Sequence, residues 1–317
     1  MVRLLSNFYY GLVYSLKTYN PFMISTMGRS GTWYNREFFY FYNKLLNGEQ
    51  SGEIRKKMIE NKTKIKYLLN LNKKNFGFNS VFIQHYLCPG FEENYKSSFR
   101  KEWDKLVFYS KHIPALYTKL MIDKKIEKKV SPFINKDTKI IYYVRNPLDQ
   151  NVAYFDAVQN NIDEDLNYYY DFKLRKKKKF SNIHDFLRNA GIDMYLKHYL
   201  SFELVKKLYP SNILILHYEN MVNDPVNNFK KVLNFIGHKF QPIEFNEAIK
   251  LSSKESIVSL ENAYGEAISG AFKNKSDRQL KDAMIGKWKN KLKNEDIEYI
   301  KKRFEEFNID YKIFTYE

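Results

Sequence analysis

Short apolar runs alternate with longer amphipathic segments along this chain of 317 residues. β-Branched and aromatic residues dominate four runs of strand length, which predicts strands at residues 21–26, 105–110, 138–144 and 212–217. Helical patterns follow at residues 33–46 and after Asp224-Pro225, where Gly237 would end the second helix. Strands separated by helices predict an α/β fold, in which a mostly parallel sheet is flanked by helices on both faces.

Three polar segments interrupt this pattern, and we expect them on the surface rather than as linkers between domains. Residues 47–80 are predicted as a helical excursion and residues 160–190 as a lid or insertion. Residues 250–290 are predicted as a loop over a site, at the start of a C-terminal loop and helix that span about 250–317. The basic run 175–179 is predicted as a solvated helix face or loop. The chain is therefore expected to form one domain over residues 1–317.

Charge and composition narrow the class of protein. Hydrophobic residues make up 44% of the chain and charged residues 28%, a balance that excludes a disordered protein. The 53 Lys and Arg outnumber the 36 Asp and Glu, which gives a net charge of +17. This surplus points to an anionic partner, such as nucleic acid, a membrane surface, or a phosphorylated or sulfated small molecule. Because Lys, Asn, Ile, Tyr and Phe are all abundant, a compositional origin of the charge is equally open.

Cysteine usage and hydropathy indicate the compartment. Cys88 is the only cysteine, which excludes an intramolecular disulfide and a thiolate zinc site and fits a reducing compartment. No run approaches the roughly 18 apolar residues of a transmembrane helix. The apolar stretch 8–16 lacks the small-residue cleavage signal of a secretory leader. A soluble, cytoplasmic enzyme is therefore expected.

The first candidate site follows the strand predicted at residues 21–26. Gly28 and Gly31 let backbone amides approach an anion closely, and hydroxyl groups at 30 and 32 add donors. The helix that begins there presents unpaired amides and the positive end of its dipole. Arg29 supplies a planar cation that suits phosphate or sulfate oxygens. The spacing matches neither GxxxxGK[ST] nor GxGxxG, and a purely structural turn is the alternative.

Two further candidates lie at the ends of predicted strands. Arg145 ends the strand at 138–144, and Pro147 suits the first turn of a following helix. An arginine at the carboxyl edge of an open α/β sheet points into the crevice where ligands bind, whereas a surface pair with Asp149 is the alternative. His112 follows the strand at 105–110, and its ordinary pKa of about 6.5 suits a general base. A structural or surface role is the alternative for this histidine.

Five segments, in order, resemble motifs of the sulfotransferase family. Gly-Arg-Ser-Gly-Thr-Trp at 28–33 resembles the 5′-phosphosulfate loop, usually Pro-Lys-Ser-Gly-Thr-Thr-Trp. Lys-His-Ile-Pro at 111–114 is similar to the catalytic Thr-His-Leu-Pro, and residues 144–149 are similar to the 3′-phosphate motif. Residues 216–225 resemble the Tyr-Glu-Asp-Leu…Asp-Pro segment, and residues 286–290 resemble Gly-Asp-Trp-Lys-Asn. The resemblance covers residues 21–290, which is nearly the whole chain.

This resemblance implies an enzyme that moves a sulfuryl group from 3′-phosphoadenylyl sulfate (PAPS) to a hydroxyl or amine of an unidentified acceptor. Small molecules, lipids, carbohydrates and peptides all stay open as acceptors, while neither a metal nor a specific nucleic acid is implied. Catalytic roles fall on His112 and Arg29. Residues expected to bind the donor are Arg29, Ser30, Gly31, Thr32, Trp33, Tyr34, Arg145, Tyr218, Arg278 and Lys281.

The chain departs from the family pattern at several positions. Arg29 replaces a lysine that could donate a proton, and an arginine is confined to electrostatic and hydrogen-bond stabilisation. Ala153 stands where a serine usually helps to bind the 3′-phosphate, and Ser110 stands where a lysine often precedes the catalytic histidine. Lys-Asp-Ala at 281–283 is a poor match to the family's Arg-Lys-Gly, so the cation there would be Arg278 or Lys281.

Two other classes of function stay open from the sequence. A nucleotide-dependent, kinase-like phosphotransferase would share the sheet and the phosphate loop, but the Walker lysine and metal-binding carboxylates are missing from the motifs. A non-catalytic basic protein could bind nucleic acid through its lysine-rich surface, but no aromatic-basic recognition string is evident.

Overall fold

The fold is built on a five-stranded sheet. A computed structural model describes residues 21–66, 68–84, 139–159, 169–171, 176–265, 268 and 284–315. The strands of the sheet are β1 (Pro21–Thr26), β2 (Leu68–Asn70), β3 (Ser80–Gln84), β4 (Ile140–Val144) and β7 (Ile213–His217). Strands β5 (Tyr169–Asp171) and β6 (Lys176–Lys178) form a separate hairpin. The strand order in the sheet is β2-β3-β1-β4-β7. Strands β3, β1, β4 and β7 are parallel, and β2 is antiparallel to β3.

Helices connect these strands. They are α1 (Thr32–Leu46), α2 (Ser51–Glu60), α3 (Lys73–Phe76), α4 (Pro147–Gln159), α5 (Ile183–Phe186), α6 (Ile192–Leu208), α7 (Tyr218–Asn223), α8 (Pro225–Phe235), α9 (Pro242–Leu251), α10 (Lys254–Tyr264) and α11 (Asn294–Glu305). A π-helical turn (Leu187–Gly191) precedes α6, and two 3₁₀ turns (Lys287–Asn290 and Tyr311–Phe314) flank α11. In the part of the chain described, no helix is long and apolar enough to cross a membrane.

The central strands place alternate side chains on the two faces of the sheet, as a period of two residues requires. Ile141 and Tyr143 of β4 pack into one hydrophobic cluster, which includes buried residues of α1, α8, α9 and α10. Tyr142 and Val144 pack into a second cluster, which includes residues of α4, α6 and α11. Because all five residues of β4 are buried, helices cover both faces. The predicted α/β fold with a mostly parallel sheet is confirmed.

Several local predictions match the structure. β1 spans the predicted residues, β4 and β7 lie within the predicted runs, and α1 begins one residue before the predicted start. Pro147 is the first residue of α4, as its fixed backbone angle favours. Helix α8 follows Asp224, whose carboxylate accepts a hydrogen bond from the Asn227 amide, and the chain leaves the helix at Gly237 with a φ of 74°.

Other local predictions are wrong. Within residues 47–80 only α2 and the single turn α3 are helical, since β2 and the first residue of β3 join the main sheet. The basic run is not a helix face, because Lys176–Lys178 pairs with Tyr169–Asp171 in the hairpin. The first part of the segment predicted as a loop over a site is α10, whose first turn is capped by the Ser253 hydroxyl accepting from the Ser256 amide, while residues 266–267 and 269–283 of that segment lie outside the described residues. The strand predicted at 105–110 and Cys88 lie outside the described residues.

Candidate functional site

A tight loop joins the carboxyl end of β1 to the N-terminus of α1. Arg29 and Gly31 both adopt left-handed backbone conformations, with φ angles of 71° and 87°. The Ser30 amide donates to the Met27 carbonyl over 3.0 Å and closes the turn. The hydroxyl oxygens of Thr26 and Thr32 lie 2.5 Å apart, so a hydrogen bond joins the last residue of β1 to the first of α1. The loop is therefore fixed at both of its ends.

Close packing explains why the loop needs glycines. A Cβ atom on Gly31 would lie 1.9 Å from the Met221 Cε atom and 3.2 Å from Cδ2 of Tyr218, both on α7. A Cβ atom on Gly28 would lie 3.0 Å from the ring of Tyr154 on α4. The absence of side chains at these two positions thus lets the loop lie against α7 and α4.

The N-terminus of α1 is suited to an anion. The helix is 15 residues long, and its first turn, Thr-Trp-Tyr-Asn, carries no carboxylate. The Gly31 carbonyl accepts hydrogen bonds from the backbone and side-chain nitrogens of Asn35 at 3.1 and 3.0 Å. The first amides of an α-helix point out of its N-terminus, and together with the helix dipole they favour negative charge at this end.

Arg145 lies beside this loop and is almost fully buried, with 2% of its surface exposed. Its Nη1 atom donates to the Arg29 carbonyl over 2.7 Å, and its Nη2 atom donates to the Met284 carbonyl over 3.0 Å. The guanidinium lies 4.5 Å from the centre of the Tyr218 ring. The alternative of a surface pair with Asp149 is wrong, because the Asp149 carboxylate accepts the backbone amides of Gly286 and Trp288.

Two buried polar atoms at this site have no hydrogen-bond partner among the residues that the structure describes. They are the hydroxyl oxygen of Ser30, which is fully buried, and the Nε atom of Arg145. A buried polar group left without a partner costs about 1–3 kcal/mol, and more when it is charged. A hydroxyl and a guanidinium N–H beside helix amides are donors that phosphate or sulfate oxygens would satisfy.

The carboxyl end of β7 completes the edge of the site. Tyr218 is 5% exposed, and burial raises the pKa of its phenol. The neighbouring Glu219 accepts the backbone amide of Asn146 over 2.9 Å, and burial raises the pKa of this carboxyl. Because Asn146 directly follows Arg145, the Glu219 hydrogen bond joins the end of β7 to the segment that carries the arginine. The structure thus brings Arg29, Ser30, Gly31, Arg145 and Tyr218 together.

The two aromatic residues after the loop have other contacts. The Tyr34 ring meets Phe229 of α8 edge to face, with 5.3 Å between ring centres. Burial raises the pKa of Tyr34, and the nearby Glu37 raises it further. The Trp33 ring stacks on the guanidinium of Arg36 at 4.1 Å. Both rings are half-buried, and donor binding by either stays a prediction.

Three predicted site residues, His112, Arg278 and Lys281, lie outside the described residues. Ala153, which replaces the family's serine, is buried on α4 with 2% exposure. The sequence analysis also missed several contacts of the loop. The Gln150 side chain donates to the Gly28 carbonyl over 3.0 Å, and the Thr26 hydroxyl meets Thr32. No motif marked Gln150, although it lies within two helical turns of Arg145.

The amino-acid sequence matches a family profile and curated proteins. Residues 20–311 match the family profile of the sulfotransferase domain. A 3-alpha-hydroxysteroid sulfotransferase of Cavia porcellus is 25% identical over 191 residues, which cover 58% of this chain and 62% of the relative. A flavonol 3-sulfotransferase of Flaveria bidentis is 29% identical over 176 residues, which cover 53% of this chain and 54% of the relative. The chain thus spans little more than half the length of these two curated relatives.

Structural comparison agrees on the fold. A mouse sulfotransferase was solved in complex with 3′-phosphoadenosine 5′-phosphate (PAP). The alignment covers 90% of this chain and 83% of the mouse chain, and the TM-score is 0.51. The two sequences are 18% identical, so this likeness concerns the fold alone.

Proposed function

The chain belongs to the sulfotransferase family, and we propose that it transfers a sulfuryl group from PAPS to a hydroxyl or amine of an acceptor. The observation that carries the proposal is the pair of buried donors, the Ser30 hydroxyl and the Arg145 Nε atom, beside the N-terminus of α1. A donor with phosphates at both the 5′ and 3′ positions and a sulfuryl group would satisfy both atoms. The mouse relative with the same fold was solved with PAP.

Each part of the site has a role in this proposal. The amides of α1, with Ser30, Gly31 and Thr32, would hold the 5′-phosphosulfate, and Arg145 would bind the 3′-phosphate. Tyr218 lies under the Arg145 guanidinium and fixes its plane. Trp33 and Tyr34 are proposed for the adenine side, and Arg278 and Lys281 as further cations.

The chemistry requires a base and a stabiliser of negative charge. The donor supplies an activated sulfuryl group. His112 would accept the proton of the acceptor hydroxyl as the acceptor oxygen bonds to sulfur and the bond from sulfur to the phosphate oxygen breaks. Arg29 would stabilise the charge that develops on that phosphate oxygen without donating a proton, because its guanidinium stays protonated. The leaving group is already a stable anion, so a proton donor is not essential.

We propose a small molecule with a hydroxyl group as the acceptor. This rests on the two curated relatives, whose names are those of a hydroxysteroid and a flavonol sulfotransferase. Lipids and carbohydrates are the alternatives that direct assays would compare. We also propose a cytoplasmic location, since a single cysteine fits a reducing compartment. We propose no specific nucleic-acid partner, since no aromatic-basic recognition string is evident in the sequence.

Thermal unfolding with different nucleotides tests this function. At a concentration a hundred times its dissociation constant, PAP should stabilise the fold by about 2.7 kcal/mol. ATP with magnesium should stabilise it far less, and Ser30→Ala should reduce the effect of PAP. Equal stabilisation by ATP and magnesium would contradict the proposal and favour a phosphotransferase.

A further inference from the structure

A segment near the C-terminus lies along helix α4, beside the donor site. We call this segment, residues 284–291, the strap. Four groups of the strap contact two carboxylates of α4, Asp149 and Asp156, which are seven residues apart and therefore on the same side of the helix. The Lys287 and Lys291 ammonium groups pair with Asp156 at 2.8 and 2.7 Å. The two remaining contacts involve backbone atoms.

Asp149 holds the backbone of the strap. Its Oδ2 atom accepts the Gly286 amide over 2.6 Å, and its Oδ1 atom accepts the Trp288 amide over 3.2 Å. Asp149 itself is 1% exposed, and both hydrogen bonds are partly buried. Gly286 has a φ of 86°, a left-handed conformation at the start of the 3₁₀ turn. Hydrogen bonds in which the acceptor is charged are the stronger class of such bonds.

The strap in turn contacts Arg145. The carbonyl of Met284, two residues before Gly286, accepts a hydrogen bond from the Arg145 Nη2 atom over 3.0 Å. The Met284 side chain is 60% exposed, so packing of that side chain does little to fix its backbone. The hydrogen bond from Gly286 to Asp149 fixes the backbone two residues after the Met284 carbonyl. The guanidinium orientation depends on this carbonyl, on the Arg29 carbonyl and on the Tyr218 ring.

We propose that Asp149 is a positioning residue for Arg145, acting through the strap. The carboxylate fixes Gly286, Gly286 fixes the Met284 carbonyl, and that carbonyl holds the guanidinium in the orientation that receives the 3′-phosphate of the donor. This inference rests on the proposed function, since it assumes that Arg145 binds that phosphate. Asp149 would thus take part in selecting the donor, although its carboxylate oxygens accept hydrogen bonds from the strap and not from the donor.

Two ligands test the proposal by calorimetry: PAP and adenosine 5′-phosphate, which lacks the 3′-phosphate. Asp149→Asn replaces one acceptor oxygen by an amide group that cannot accept the strap's N–H. We expect PAP to bind roughly 2- to 30-fold more weakly to this variant. Affinity for adenosine 5′-phosphate should change little, because Arg145 contributes little to it. A merely structural role of Asp149 would weaken both ligands by one factor, and this result would overturn the proposal, as would unchanged binding of PAP.

Asp193→Asn is the matched control. Asp193 is also buried, and it pairs with Arg303 of α11 at 2.7 Å. This variant should keep the wild-type ratio of the two affinities, and a selective loss of PAP in it would count against the proposal. If Asp149→Asn fails to fold, Gly286→Ala disturbs the same contact, because its left-handed φ disfavours any side chain. The same selective loss is then expected, and an unchanged ratio overturns the proposal.

The wild-type chain separates this inference from the proposed function. If the wild-type protein does not prefer PAP to adenosine 5′-phosphate, the assignment of Arg145 to the 3′-phosphate fails. If the wild type prefers PAP and Asp149→Asn keeps that preference, the coupling through the strap alone fails.

Discussion

The Arg145 Nη1 atom donates a hydrogen bond to the carbonyl oxygen of Arg29 over 2.7 Å. These two residues follow β4 and β1, which are adjacent and parallel, with Thr26 opposite Tyr143. Because carboxyl ends of parallel strands meet at one edge of the sheet, two motifs separated by 116 residues form a single site. The same hydrogen bond joins the loop after β1 to the arginine proposed for the 3′-phosphate.

Arg145→Ala should reduce the preference for PAP over adenosine 5′-phosphate. Removal of one charged hydrogen-bonding partner commonly costs roughly 1.5–3 kcal/mol of binding free energy, and here the loss should fall on the ligand with the 3′-phosphate. Titration calorimetry with both nucleotides measures the difference. Arg145→Lys, which keeps the charge without the planar fork, should give an intermediate result. Equal weakening of both ligands would show that Arg145 does not bind the 3′-phosphate.

His112→Ala should separate chemistry from binding. Without a positioned base, turnover should fall by roughly 10²–10⁴-fold, while affinity for PAP stays close to that of the wild type. Turnover is measured with a small hydroxylated acceptor and PAPS, and affinity by calorimetry. His184→Gln is the control, because this histidine pairs with Asp296 of α11 and should leave turnover nearly unchanged. A fully active His112→Ala enzyme would exclude His112 from catalysis.

Local sequence patterns predicted the strands and helices that position the site. β1, β4 and β7 are apolar runs, α1 follows a glycine turn, and α4 begins with a proline. Strands β2 and β3 escaped this approach, because β2 is three residues long and the Lys- and Asn-rich flanks of both resemble a surface segment. Their pairing in the sheet, rather than local propensity, makes them strands.

For the candidate site, the sequence predicted only which residues follow the strands, and their roles stay predictions. Arg29, Ser30 and Arg145 stand in motifs whose position after a strand implies a ligand. The contact between Asp149 and Gly286 joins residues 137 apart, and nothing in either local segment specifies it. Gln150 reaches Gly28 across 122 residues in the same way. Long-range hydrogen bonds of this kind depend on how α4 packs against the loop and the strap, which a single sequence does not reveal.

His238 should make the protein less stable in mild acid. The ring is 5% exposed, and burial lowers its pKa below the ordinary value. Its Nδ1–H donates to the Asn75 carbonyl over 2.6 Å, so Nε2 accepts from the Tyr42 hydroxyl over 2.9 Å. The neutral ring therefore fits its surroundings, and protonation would remove the acceptor that Tyr42 uses. Since the unfolded chain binds the proton more readily, stability falls as pH drops below about 6.5.

Unfolding curves of the wild type and of one variant isolate the contribution of His238 to the pH dependence of stability. His238→Gln keeps a donor and an acceptor but does not titrate, so its loss of stability between about pH 7 and pH 5 should be smaller than that of the wild type. Urea unfolding at a series of pH values measures both curves. Parallel curves for the two proteins would show that His238 is not responsible. The difference between the curves is informative because His217, whose pKa burial also lowers, contributes equally to both.

Arg29 combines a charge with an unfavourable backbone conformation. Its φ of 71° lies in the left-handed region, which costs roughly 1–2 kcal/mol for a residue with a side chain. The hydrogen bond from Arg145 to the Arg29 carbonyl, and that from Gln150 to the Gly28 carbonyl, hold the loop in this shape. Charge and conformation can be separated by substitution, because glycine tolerates this φ and alanine does not.

Three variants of Arg29 should therefore differ in stability and donor affinity. Arg29→Lys keeps the charge, so it should retain much of the turnover, as the lysine usual at this position in the family implies. Arg29→Gly should be at least as stable as the wild type, by up to about 1 kcal/mol, yet bind PAP more weakly because the cation is lost. Arg29→Ala should bind PAP as weakly as Arg29→Gly without its gain in stability. Urea unfolding and calorimetry on all three variants test this, and unchanged PAP affinity in Arg29→Gly would move the phosphate site away from the loop.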